Sequence, residues 1–452
     1  MRLSMRQLAL RAMGRYPVYW AIPAGDVRKC AKVIYYSKRL EPDRAVNRIK
    51  TIDGVPTRYL RPALAAARAA FRAGEDDIVE PILSALEQRY PEASAVRVLH
   101  SDLHAFHARY EEALTSATEA QLLRPSDPAA VARTVRLSYQ CLDLAAADQL
   151  AVRALRRFPR TSEVLWAVAK HCRSREQFQR LRAAWDDVTE DPSTLVRVVR
   201  PLAAAAARAN EIEAAIDLYR RAIEIKVRTS PAGARATESR LEGRNAWQAI
   251  VDLCEVLDGA GIPYFFAAGT ALGLIRAGRP LGADSDIDVG IFDAGWRRET
   301  LVELFLRHPR FDIETAHQDA KKIALRHRGG SPVDLFRFYL EDGRLWHDAV
   351  FVRWHNSPFE VVRRDIRGLS VPLPADPDRY LTENYGDWRT PNPAFDAFAD
   401  APNVETTWPE YLRFHLVRRA YKALVAGDSA AACRDLRRAD EAELATMVRS
   451  AA

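Results

Sequence analysis

Between about residues 60 and 228 the apolar positions recur at helical spacing, and a longer period overlies them. Ala113, Ala147 and Ala215 are separated by 34 and twice 34 residues, and Ala120, Ala154 and Ala222 repeat the interval seven residues further on. Pro91, Pro125 and Pro159 follow the same spacing. Small residues seven apart lie two turns apart on one helix face, where a neighbouring helix can approach closely. Proline then ends the second helix of each unit and begins the turn. The fourth register departs: Leu181 and Val188 stand where alanine is expected, and Pro192 is one residue out of step. The pattern predicts paired helices stacked as an α-solenoid, a docking surface rather than a catalytic one.

The texture changes after residues 230–244, which are small, polar and basic and read as a linker. Residues 245–259 carry an amphipathic helix with Trp247, Ile250, Val251, Leu253, Cys254 and Leu257. A buried-strand run, Ile262 to Ala268, stops at Gly269-Thr270 and restarts as a helix through Arg276. Asp286, Asp288 and Gly290 then alternate with Ile287, Val289 and Ile291, the period of a half-buried strand. Residues 322–328 alternate likewise, Gly329-Gly330 makes a turn, and Val333 to Tyr339 returns.

This second half holds the candidate chemistry. A strand, a glycine turn and a helix start present backbone N–H groups to an anion. Gly269 allows a phosphate close approach, and Thr270 can cap the helix or bond the ligand. Asp286 and Asp288, two apart on a strand, point the same way, with Asp284 on the same parity at the strand entrance. Grouped carboxylates repel one another unless cations are present, and hard divalent ions, chiefly Mg²⁺ with Mn²⁺ as the substitute, answer that need. Asp334, inside an apolar strand, is the natural third ligand; an ion pair with Arg326 or Arg337 is its other reading. His100, His104 and His107 fit one helix face but have no nearby Cys and no HExxH pattern, so they are read as packed or groove-lining.

Composition narrows the class. A chain of 452 residues predicts two or three domains, and 48% hydrophobic with 28% charged residues is ordinary globular usage. Five cysteines are scattered with no CxxC, which fits a reducing compartment and signals no zinc or disulfide framework. The net charge of +7 is uneven: residues 1–50 hold 12 Lys+Arg against Asp26, Glu41 and Asp43, while the remainder holds 55 basic and 57 acidic residues. A nucleic-acid binder is not indicated. No run of 18 apolar residues exists, and arginines interrupt the apolar residues of the first 24. Residues 1–50 are therefore expected to make at most a peripheral contact with an anionic membrane surface.

Two resemblances follow from these residues. Tyr110-Glu111-Glu112-Ala113 and Ala214 to Tyr219 resemble the second helix of the tetratricopeptide repeat, although Ser101 and Val135 replace its first-helix glycine. Gly269-Thr270-x-Leu272-Gly273-x-x-Arg276, then Asp286-Ile287-Asp288-Val289-Gly290, Val333-Asp334, and finally Val371 to Pro374, Tyr380-Leu381 and Tyr385-Gly386-Asp387-Trp388, resemble the LicD/fukutin family of the nucleotidyltransferase superfold. That resemblance implies a mixed twisted sheet flanked by helices. It also implies transfer of a phospho-alditol or phosphocholine group from a CDP-activated donor to a cell-surface glycan or glycolipid acceptor. Gly282-Ala283 and Ser285 depart from the family's acidic motif, which bears on donor choice. By analogy Asp286, Asp288 and Asp334 are the catalytic and metal-binding acids. Gly269, Thr270 and Arg276 seat donor phosphates, and Lys322, Arg326 and His347 are secondary substrate contacts. The expected organisation is a basic segment (1–55), a tetratricopeptide-like domain (56–229) that docks a protein partner, the linker, a transferase domain (245–392) and a helical tail (393–452). The expected setting is cytoplasmic, at the membrane periphery. The alternatives are a nucleotidyltransferase acting on a small molecule and a repeat adaptor with an inactive transferase domain.

Overall fold

The computed structural model describes residues 42–50, 57–185, 191–229, 246–282, 284–314 and 321–451, with Lys32, Val33, Tyr35 and Val55. The basic segment before Lys32 and the linker at 230–244 lie outside the described residues. Among the described residues no helix is long and apolar enough to cross a membrane.

After α1 (Pro42–Lys50) the chain forms five helical pairs: α2 and α3 (Leu60–Ala73, Asp76–Arg89), α4 and α5 (Ser94–Phe106, Tyr110–Leu123), α6 and α7 (Pro128–Cys141, Leu144–Arg157), α8 and α9 (Ser162–Ala169, Arg175–Ala183), and α10 and α11 (Pro192–Arg208, Ile212–Thr229). The first helices of the first four pairs begin at residues 60, 94, 128 and 162, so the 34-residue period of the sequence is the period of the fold. Ala113, Ala120, Ala147, Ala215 and Ala222 are fully buried where second helices meet their neighbours. Ser101 fits the first-helix position because its hydroxyl donates to the Ala113 carbonyl at 2.8 Å, across the helix pair. The out-of-step register has a simple cause: α8 and α9 have only 8 and 9 residues, and Pro192 opens α10 early.

The tail, where the sequence shows no chemistry, completes this solenoid. Helices α16 (Pro409–Val425), α17 (Ser429–Arg438) and α18 (Ala442–Ser450) share one core with the pairs α6 to α11. Tyr219 of α11 meets the rings of Phe414 and Tyr421 at 6.0 and 5.4 Å, and Arg220 pairs with Glu441. The α/β domain follows the helical pairs in the chain, and the tail beyond it packs back onto them.

That domain is a mixed sheet with strands β1 (Tyr264–Phe266), β2 (Ile287–Phe292), β3 (Phe311–Ile313), β4 (Lys322–His327), β5 (Pro332–Glu341), β6 (Arg344–Asp348), β7 (Val352–Asn356) and β10 (Val404–Thr406). Its order is β1-β2-β5-β6-β7-β10, with β4 pairing the first half of β5 and β3 on the far side of β4. Only β2 and β5 run parallel. Strands β8 (Val361–Ile366) and β9 (Leu369–Pro374) form a separate hairpin. Helices α12 (Ala246–Gly259), α13 (Ala268–Ala277), α14 (Arg298–Leu306) and α15 (Pro377–Tyr385) flank the sheet. Ile287, Val289, Ile291, Val333 and Leu335 are fully buried in one core with Ile250, Leu253 and Leu257 of α12. The opposite face carries aromatic rings at one end: Gly290 has no side chain because a β-carbon there would strike the rings of Phe265 and Phe338.

The first pairs of the solenoid lie along β3 and β4. Asp312 of β3, buried, accepts from Arg136 of α6 at 3.1 Å, Arg326 of β4 at 2.7 Å and the Tyr110 hydroxyl at 3.4 Å. Arg328, after β4, donates to Asp76 of α3 at 2.6 Å and stands 4.3 Å from the Phe71 ring centroid. Burial opposes ionisation of Asp76, but hydrogen bonds to His107 and Arg328 outweigh it and hold the carboxyl at about 2. Lys170 pairs with Glu314 at 3.1 Å. The repeat surface expected to dock a partner therefore already docks the chain's own sheet.

Candidate active site

The strand register brings the acids together. In the parallel pair β2 and β5, Asp288 lies directly opposite Asp334, so both carboxylates project from one face. Asp286 precedes β2 on the same parity. Each of the three can offer one oxygen, and these oxygens lie within 4.8 Å of one another. The arrangement is costly by itself. Burial raises the Asp288 carboxyl well above its ordinary range, and Asp286, Asp284 and Asp334 raise it further. Asp334 is raised chiefly by burial, with Lys322 opposing. Asp284, the parity partner at the strand entrance, is raised by burial and by Asp286. Grouped acids held against their own repulsion are the donor set a divalent cation neutralises.

The helix start beside them is built around this strand. The chain leaves β1 and turns into α13 through Ala268 at φ +43°, a left-handed conformation unusual for a residue with a side chain. The Ala267 amide donates to the Asp288 carbonyl at 3.0 Å, and the Ala268 amide donates to the Tyr380 hydroxyl at 3.1 Å. Thr270, almost fully buried, accepts from the Asp288 amide at 2.9 Å. Its oxygen therefore fixes the position of β2. Gly269 packs against Asp284, whose carboxylate a β-carbon would strike. Both residues of the Gly-Thr step thus set the geometry of the acids.

The remaining candidates separate into two groups. Lys322 of β4 belongs with the acids: its ammonium is hydrogen-bonded to Asp334, and Arg298 of α14 holds the Lys322 carbonyl at 3.1 Å. Asp334 thus has an ion-pair partner, but it is Lys322 rather than Arg326 or Arg337. Arg337 pairs instead with Asp293. Arg276 reaches neither acid; it donates to the Trp388 carbonyl at 3.1 Å and ties α13 to the Tyr385 to Trp388 segment. Tyr385 lies deep beside the site, its hydroxyl kept protonated by burial, by Tyr380 and by Asp288 and Asp284.

The structure does not bring Arg326 and His347 to the cluster. Arg326 is opposite Asp312 in the β3–β4 pair and is spent at the solenoid seam. His347 of β6 is buried between the rings of Phe338 and Trp354, 4.3 and 5.0 Å away, and burial lowers its pKa to about 3. Phe338 is four residues beyond Asp334 on β5, so His347 sits roughly 13 Å from the acids along the strand. Both residues lie on the acid-bearing face but away from the cluster along the sheet. The histidine cluster is also resolved: His100 and His104 stack at 6.0 Å, while His107 turns to Asp76. Among the described residues the three aspartates are the only metal-type cluster. Sequence reasoning missed Tyr380 and Ala268, whose contact joins positions 112 residues apart; the Tyr380-Leu381 motif was its one signal.

The stretch that holds this cluster is similar to known proteins. Residues 261–376 match the model of the family described as LicD/FKTN/FKRP, nucleotidyltransferase domain. The chain is similar to ribitol-5-phosphate transferase FKTN of Mus musculus, 24% identical over 169 residues, covering 34% of this chain and 36% of the relative. The proteins of the same name from Macaca fascicularis and Homo sapiens are each 23% identical over the same shares. The chain thus spans about a third of the length of the curated relatives it matches. The matched stretch contains β1, α13, the three acids and the β8–β9 hairpin, and a domain of the LicD/fukutin family therefore occupies residues 261–376 of this chain.

Proposed function

We propose that this protein is a divalent-cation-dependent phosphotransferase that moves a substituted phosphate, a phospho-alditol or phosphocholine, from a CDP-activated donor to a glycan acceptor. The observation that carries the reading is the convergence of Asp286, Asp288 and Asp334 from two adjacent strands, inside a domain matched by a family whose relatives include ribitol-5-phosphate transferases. The three carboxylates would hold Mg²⁺, or Mn²⁺ in its place. A cation bound there supplies charge neutralisation for the phosphoryl oxygens, which carries most of the catalysis in such transfers. Gly269 and Thr270, at the start of α13, would seat the donor phosphates beside the acids. Lys322 positions the Asp334 carboxylate, and Asp334 accepts the proton of the attacking acceptor hydroxyl. Arg276 would act indirectly, by tying α13 to the Tyr385 to Trp388 segment. The setting follows from the class of acceptor: a cytoplasmic enzyme at a membrane periphery, with residues 1–50 as the contact.

The test is a donor screen. The full chain with Mg²⁺ is offered CDP-ribitol, CDP-glycerol, CDP-choline and plain nucleoside triphosphates. CMP release from a CDP compound is the expected result. Pyrophosphate release from a triphosphate, with no CMP from any CDP compound, would replace this reading by a nucleotidyltransferase.

The raised carboxyls give a pH test with a definite sign. A carboxyl whose folded pKa exceeds its unfolded value contributes stability below the unfolded pKa and loses it as pH rises through the folded one. The folded values of Asp334 and Asp284 stand at about 6 and about 7. Metal-free protein should therefore lose stability on this account as pH rises from the ordinary carboxyl value, about 3.8, to about 7. Added Mg²⁺ should raise the melting temperature more at pH 8 than at pH 5, because the ligands must shed protons to bind. An equal Mg²⁺ effect at both pH values would place the ion elsewhere.

A further inference from the structure

A cleft of about 240 Å³ opens between the solenoid and the sheet. The first helices of the third and fourth pairs form one wall: α6 supplies Arg133, Arg136 and Gln140, and α8 supplies Glu163, Trp166 and Lys170. Glu314, just beyond β3, and Arg326 of β4 form the other. The cleft and the aspartate cluster share one face of the sheet. Ala324 of β4 lies directly opposite Asp334, and the Glu314 amide donates to the Ala324 carbonyl at 2.9 Å. Glu314 is thus two strand spacings, roughly 10 Å, from Asp334.

The lining selects a chemical class. Its charges are already matched: Arg133 is bidentate to Asp102, Arg136 and Arg326 share Asp312, and Lys170 holds Glu314. His171 behind them is stacked on Tyr139 at 4.2 Å and kept neutral by burial. A polyanion would find no free cation cluster in this wall. What the wall offers is a half-buried tryptophan ring and a dense set of planar hydrogen-bonding groups. Two atoms of that set, Gln140 Oε1 and Arg326 Nε, are buried and have no hydrogen-bond partner among the described residues. One lacks a donor and the other an acceptor, and a hydroxyl is both. An aromatic platform flanked by arginine, glutamine and glutamate fits a polyhydroxylated ring: its C–H face stacks and its hydroxyls bridge.

We propose that this interdomain cleft is a saccharide-binding site, and that it seats the glycan part of the acceptor while an acceptor hydroxyl reaches Asp334 along the shared face. That the bound saccharide is the acceptor rests on the transferase reading above; that the cleft binds saccharide does not. The solenoid then has a catalytic purpose, since its first helices build half of the acceptor site.

The test measures binding without donor. The full chain is applied to an array of defined neutral and acidic oligosaccharides, and the strongest binder is titrated calorimetrically against wild type, Trp166→Ala and Gln140→Ala. Wild type should bind, and Trp166→Ala should weaken binding at least about tenfold, the loss expected for one aromatic stacking platform. Gln140→Ala should weaken it severalfold. If Trp166→Ala does not melt cooperatively, Gln140→Ala decides alone. No saccharide bound by wild type, wild-type affinity in both variants, or binding of polyanions only and lost in high salt, each overturns the site. Saccharide binding that is lost in the variants, alongside no CMP release from any CDP donor, supports the site and overturns the transferase reading.

Discussion

Replacing Asp288 by Asn should abolish transfer while making the metal-free protein more stable. The carboxylate lies opposite Asp334 and near Asp286 and Asp284, and its pKa is raised by burial and by all three neighbours. Removing its charge relieves repulsion, so the melting temperature without metal at pH 8 should rise, as is common where a site is strained for function. The same change removes a ligand that would sit between the acids of β2 and β5. Activity should fall on the order of a thousandfold or more, the scale on which charge-neutralising groups act in phosphoryl transfer. The melting-temperature gain on adding Mg²⁺ should vanish as well. Assays of CMP release and thermal melts with and without metal read both effects. Loss of activity with loss of stability would mean that Asp288 supports the fold and not a cation. An Asn variant that keeps turnover would remove the aspartates from the mechanism.

The second large effect is structural and lies at the seam. Asp312 is the carboxylate that pairs directly with both Arg136 and Arg326, and its side chain is 1% exposed. Asp312→Ala leaves two part-buried arginines beside the cleft without the buried carboxylate they share. Breaking a buried ion pair from one side costs about 3–5 kcal/mol. Urea unfolding should show a loss of that size, and limited proteolysis should cut faster between solenoid and sheet. The triple replacement Asp312→Leu, Arg136→Met, Arg326→Met should recover much of the loss, because the cost lies in the unpaired charge rather than the missing attraction. A loss under about 1 kcal/mol in the single variant, the range of an exposed pair, would show that water screens the cluster.

Much of the fold was legible because it is written in local periods. The alanines 34 apart and the prolines at the same interval reported helix pairs whose starts at 60, 94, 128 and 162 reproduce that spacing. Period-two alternation over 286–291 separated Asp286 and Asp288 from Ile287, Val289 and Ile291, which are indeed fully buried. Analogy offered Arg326 and His347 as substrate contacts, but a motif says nothing about where on the sheet a residue lies. His347 went to the aromatic end and Arg326 to the seam. Thr270 and Gly269 show a related limit: their residue types suggested ligand contacts, whereas their neighbours turn out to be Asp288 and Asp284.

The sequence by itself determined which segments are helical pairs, the four strands around the acids, and which carboxylates share a face, because each of these depends on residues within a few positions of one another. The tertiary structure alone decided that residues 409–450 pack back on the helical pairs, that Asp334 is paired with Lys322, and that α6 and α8 wall a cleft on the acid-bearing face. Those facts join residues tens to hundreds of positions apart. No local period encodes them; they are settled only when burial, charge pairing and strand register are satisfied together.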